Sequence, residues 1–206
     1  MYQLNIDIDP ADLAVILEAG ELVTIVKQTT GSAGGPQVAW VAFDPLQANS
    51  VSWQDSYTMY ASRTQLEGNA TINMMSQAPA GQTQSLPFTN EGSFQAADPT
   101  IVLPSDTYGV ENQYTTAPFL VFGLAQEANV TGTSSPASPI NASVVPMNQR
   151  ATFQPLDVVT VFLQANTSNG MVINTVTGQP ITLTFGGGTN EITIAYDAAI
   201  GGFTMA

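Results

Sequence analysis

Hydrophobic and polar positions alternate along much of this chain with a period of two. The first eight residues set the pattern: Tyr2, Leu4, Ile6 and Ile8 fall on one face, with Gln3, Asn5 and Asp7 on the other, as a half-buried strand requires. The alternation then yields once to a helix. Asp9-Pro10 offers an N-cap and a proline at the first helical position, and Asp12 places acidic charge in the first turn. Leu13, Ile16 and Leu17 share a helical face, and Gly20 supplies the stop.

Beyond Gly20 the pattern predicts strands over 21–29, 37–43, 50–61, 70–76, 119–125, 151–153, 157–165, 171–175, 181–185 and 191–196, with glycine-rich turns at 31–35 and 186–190. The runs 119–124 and 158–163 are apolar on both faces, so they belong in the middle of two layers. Two stretches, 77–118 and 127–149, are rich in Gln, Ser, Thr, Asn and Pro and read as long loops broken by short β-like pieces. Together these elements predict a single domain over residues 1–206. Its class is all-β, a two-layer antiparallel β-sandwich of jelly-roll or Greek-key type with one short N-terminal helix.

Composition sharpens the functional side of the picture. Charged residues are only 9% of the chain, and Lys27, Arg63 and Arg150 are the only strong bases against sixteen carboxylates, for a net charge of −13. Nucleic acid is excluded as a partner, because counterion release needs clustered bases. The absence of histidine predicts a charge nearly flat from about pH 6 to 9. The start of the chain carries neither the basic residues nor the apolar run of a secretory signal, and no stretch approaches the roughly eighteen apolar residues of a span. A cytoplasmic protein, or one exported without a recognisable signal, is expected.

Missing residues close most reaction classes. With no His and no Cys there is no Ser-His-Asp or Cys-His nucleophile, no HExxH helix and no thiolate metal site. The triple glycine at 186–188 leads into Thr-Asn-Glu rather than Lys-Ser or Lys-Thr, so no phosphate cradle is predicted and no cofactor is expected. Carboxylate-based glycoside hydrolysis is the one catalytic chemistry left open, and the chain is read as not an enzyme.

Three groups of residues are candidates for a site. Trp53, Asp55 and Tyr57 share one face of a predicted strand, where a carboxylate interrupts an apolar stripe. Asp106, Tyr108, Glu111, Asn112, Gln113 and Tyr114 fall in a predicted loop that offers aromatic rings, amides and carboxylates to a neutral, hydroxyl-rich ligand. Asp7, Asp9 and Asp12 form an oxygen-rich cluster that could take Ca²⁺, although helix capping already accounts for Asp9 and Asp12. Asn69, Asn129, Asn141 and Asn166 each begin an Asn-X-Ser/Thr triplet and are read as surface strands and turns. The expected function is non-enzymatic recognition or assembly, binding a neutral glycan or a protein surface through sandwich loops. The alternatives are a membrane-active, pore-forming toxin, the only reading that brings in a membrane, and a self-assembling filament or inclusion protein. A homo-oligomer is compatible with each of these readings.

Overall fold

The computed structural model describes residues 1–32 and 34–206; Ala33, inside the turn expected over 31–35, lies outside the described residues. In chain order the elements are β1 (Tyr2–Asp7), α1 (Pro10–Glu18), β2 (Glu21–Gly31), β3 (Gln37–Val38), β4 (Val41–Phe43), β5 (Ala48–Trp53), β6 (Thr58–Ser62), β7 (Met74–Pro79) and β8 (Ser85–Phe88). They continue with β9 (Tyr108–Asn112), β10 (Phe119–Val130), β11 (Thr133–Pro139), β12 (Ser143–Pro146), β13 (Arg150–Ala165), β14 (Val172–Ile173), β15 (Ile181–Thr184), β16 (Glu191–Asp197) and β17 (Gly202–Met205).

The chain folds as an all-β sandwich. One sheet runs β17-β16-β1-β5-β10-β6-β7, with β11 and β12 also on β10; the facing sheet runs β4-β2-β13-β9-β8, with β15 on β13. Pairing is antiparallel except for β1 with β16 and β8 with β9, which are parallel. One continuous core joins the sheets: Leu4, Ile6, Val51, Phe122 and Ile194 from the first meet Val23, Ile25, Val110, Phe153 and Val161 from the second. Burial of this kind is the main driving force available to a chain without disulfides.

Strand β10 is central, as its two apolar faces require. Leu120, Phe122 and Leu124 enter the main core, while Val121 and Ala125 pack with Tyr60, Val38 and Val172 in a second cluster beneath the small β3-β14 sheet. Gly123 sits between them without a side chain because a Cβ there would lie 2.2 Å from the Asn141 carbonyl oxygen.

Several expectations change. Both predicted loops carry strands: β8 and β9 lie within 77–118, and β11 and β12 within 127–149. The predicted strand 50–61 bends at 54–57, dividing β5 from β6 and turning Asp55 outward. In α1 only Ile16 is buried; Leu17 is 48% exposed. Asp9 does occupy the N-cap with extended backbone, but its side chain makes no capping hydrogen bond. Asn141 is buried, not on the surface, and its Oδ1 accepts the Leu124 N–H at 2.7 Å.

Candidate functional site

Alternation places Lys27 on the same face of β2 as Val23 and Ile25, so the chain's only lysine points into the core between the sheets. It is 2% exposed. Its Nζ donates to the Tyr57 hydroxyl and to Gln126 Oε1, each at 3.0 Å, and lies 3.8 Å from Asp55 Oδ1. Three rings surround the ammonium, with centroids at 5.8 Å for Trp40, 5.9 Å for Trp53 and 5.1 Å for Tyr57. Ring faces present negative quadrupole to a cation and so replace part of its lost hydration.

That replacement is incomplete. Burial lowers the Lys27 pKa to about 8, against the opposing pull of Asp55 and Asp157. Lys27 therefore titrates inside the pH window that composition alone predicts to be flat. Holding the charge at neutral pH therefore works against folding, because the unfolded chain binds that proton more tightly. A charge retained at such a cost marks a candidate functional region.

The Lys27 network fixes the bend between β5 and β6. Gln126 accepts from Lys27 with Oε1 and donates through Nε2 to the Gln54 carbonyl at 2.6 Å, while the Tyr57 hydroxyl donates to Asp55 Oδ1 at 3.3 Å. Trp40 Nε1 donates to the Gln126 carbonyl at 2.9 Å, which locks the glutamine backbone as well. Burial, then Asp55, pushes the Tyr57 phenol far above its ordinary range, so it stays a donor.

In front of this network lies a cleft of about 600 Å³ assembled from four segments. The bend supplies Asp55, Ser56 and Tyr57; the turn after β7 supplies Gln82; the turn before β9 supplies Asp106 and Tyr108. The fourth segment, Gln154–Asp157, is a bulge in β13, where pairing to β2 jumps from Pro155 opposite Thr29 to Val159 opposite Lys27. Bulges re-aim side chains, and this one brings Asp157 to the cleft. Asp157 Oδ2 accepts from the Tyr2 hydroxyl at 3.1 Å, and burial together with Asp157 pushes the Tyr2 phenol up to about 12. Asp106 accepts from Gln82 Nε2. Asp55, Asp106 and Asp157 thus line one cleft, each carboxylate accepting from a donor within the chain. Tyr108 packs edge-on to Tyr57 at 5.2 Å, and its hydroxyl makes no hydrogen bond among the described residues.

The structure therefore gathers Asp55, Tyr57, Asp106 and Tyr108, from two separate candidate groups, at one cleft. Trp53 forms the wall of a second cleft across the bend. The remaining candidates lie elsewhere. Glu111 pairs with Arg150 at 3.1 Å, Gln113 is exposed, and Asn112 is a structural bracket: Nδ2 donates to the Val145 carbonyl at 2.9 Å, and Oδ1 accepts the Tyr114 N–H at 3.1 Å. Tyr114 is buried and receives Arg63 on its hydroxyl and on its ring. Residues 108–112 are not a loop but the buried strand β9, and Tyr108 at 8% and Tyr57 at 7% exposure present no open ring face for stacking. Among the described residues no three carboxylates come together as a metal-ligand cluster, so Asp7, Asp9 and Asp12 are not gathered at one point.

Sequence reasoning missed Lys27, Gln126, Gln82, Asp157 and Tyr2. Only Lys27 gave a signal, as a lone base on an apolar face. The fold and site define an acidic, cleft-bearing all-β sandwich. No protein-family model matches the chain, and neither a curated protein nor a solved structure matches it at a significant level.

Proposed function

We propose that this is a non-enzymatic recognition protein that takes an uncharged, hydroxyl-rich ligand, a glycan, in the cleft of Asp55, Asp106 and Asp157. The observation that carries this reading is the buried Lys27 network, which holds Asp55 and the bend in place at a cost in stability. Fixed carboxylates are acceptors, and the Tyr108 hydroxyl is a free donor. A vicinal diol supplies the complementary set, donating to a carboxylate and accepting from a phenol. Because the rings at the cleft are buried, recognition relies on polar contacts more than on stacking.

The test is a glycan array followed by titration calorimetry on the wild type and on Asp55→Asn, Asp106→Asn and Lys27→Met. Array-positive glycans are expected to bind each variant at least tenfold more weakly, about 1.4 kcal/mol, with circular dichroism unchanged. An array with no positive glycan, alongside saturable binding of a polyamine such as spermidine, would replace the neutral ligand with a cationic one.

A further inference from the structure

The bend that forms one wall of the acidic cleft has a second cleft of about 320 Å³ on its other side. Ser56 borders both, so the two are separated by a ridge one residue wide at its crest. The ridge is rigid: the Gln54 carbonyl accepts from Gln126 Nε2 and from the Ser56 N–H at 2.8 Å, and Asp55 is held by Tyr57.

The two clefts differ in how far their polar groups are committed. In the acidic cleft Asp55, Asp106 and Asp157 each accept from a donor within the chain. In the second, the side chains of Gln54, Ser56, Thr58, Glu127, Asn129 and Ser134 make no hydrogen bond among the described residues. Asn129 and Ser134 stand directly opposite one another on β10 and β11, on a strand pair that fixes their spacing. Hydroxyls and amides are both donors and acceptors, which is the inventory a chain of sugar units satisfies. Trp53, buried and held edge-on by Trp40 at 5.4 Å and Phe185 at 5.0 Å, lies behind the cleft as a fixed support and not as an open ring face.

We infer that the second cleft is a second subsite and that the ligand is an extended oligosaccharide crossing the ridge at Ser56, not a single sugar. This rests on the glycan reading of the acidic cleft. Two subsites on one rigid ridge behave as linked sites, so a ligand long enough to reach both gains affinity without paying association entropy twice.

The experiment uses length ladders of one to six units of glucose, mannose, galactose, xylose and N-acetylglucosamine oligomers, titrated against the wild type, Asp106→Asn and Asn129→Ala. The affinity for at least one ladder is expected to rise tenfold or more between one unit and the length that spans the ridge, then to level off. Asp106→Asn should weaken every length in that ladder, whereas Asn129→Ala should weaken only the spanning lengths and leave the monosaccharide unchanged. Asn129 is exposed, so its variant is expected to keep the wild-type melting temperature. Equal affinity for one unit and six, or loss of monosaccharide binding in Asn129→Ala, overturns the second subsite and leaves the acidic cleft standing. Failure of every ladder to bind overturns both.

Discussion

Strand β10 has a buried polar neighbourhood on either side, and the two are built differently. On the side facing the second cluster everything is neutral. The Tyr60 hydroxyl donates to the Asn141 carbonyl at 2.6 Å, and the Asn141 side chain accepts the Leu124 N–H, the donor left over where pairing passes from β12 to β11. On the side facing the other sheet, Gln126 meets a charge, Lys27, whose hydration the protein replaces only in part. The first arrangement repairs a ladder and needs no further purpose. The second destabilises the fold, and what it yields is a fixed bend between two clefts. Neutral brackets in this molecule serve the architecture, whereas the buried charge serves the surface in front of it.

The contrast can be tested in order of expected effect. Asn141→Ala should lower unfolding free energy by about 2–3 kcal/mol in urea titration, because a buried N–H loses its acceptor. Lys27→Met should move stability the other way, up by about 1–2 kcal/mol at pH 7, since an apolar side chain of similar reach removes the desolvation cost, which outweighs the donor lost to Gln126 Oε1 and to the Tyr57 oxygen. A loss of stability in Lys27→Met comparable to that in Asn141→Ala would erase the distinction.

The pH dependence sharpens the same point. With a folded pKa near 8 against 10.5 unfolded, Lys27 binds fewer protons in the native state between those values, so stability rises as pH increases through this window. Tyr2, Tyr57 and Tyr60 have raised pKa values in the fold and stay protonated while the unfolded chain ionises near pH 10, so stability falls above that. A net gain of about 1 kcal/mol from pH 7 to 9 is expected in the wild type and none in Lys27→Met, read from melting temperatures across the range. Smallest of all, Arg150→Ala should change stability by less than about 0.5 kcal/mol, because its partner Glu111 is paired at the surface.

Much of the fold was legible in the chain. Strict alternation marked β1, Asp9-Pro10 marked the helix start, and two-faced apolar runs marked β10 and most of β13 as central. The errors have physical causes. Thr133–Pro139 looks like a loop because of its serines and prolines, yet it pairs with β10 on the sheet's outer side, and Pro136 sits where the register shifts and no donor is required. The segment around Tyr108 is polar by composition, but Asn112 is consumed by backbone partners and Tyr114 by Arg63, which buries the amide and the ring that suggested a ligand loop. The acidic cleft was only half legible. Asp55 and Asp106 stood out as carboxylates beside aromatics, while Asp157 reaches the cleft through a bulge that no local pattern announces.

The placement of Lys27 has one more consequence. It is the only lysine in the chain, so the folded surface offers no side-chain amine to acylating reagents, cross-linkers or enzymes that modify lysine. A label on the Lys27 side chain therefore records a molecule in which Lys27 has left its buried site, and such labelling reports on that opening.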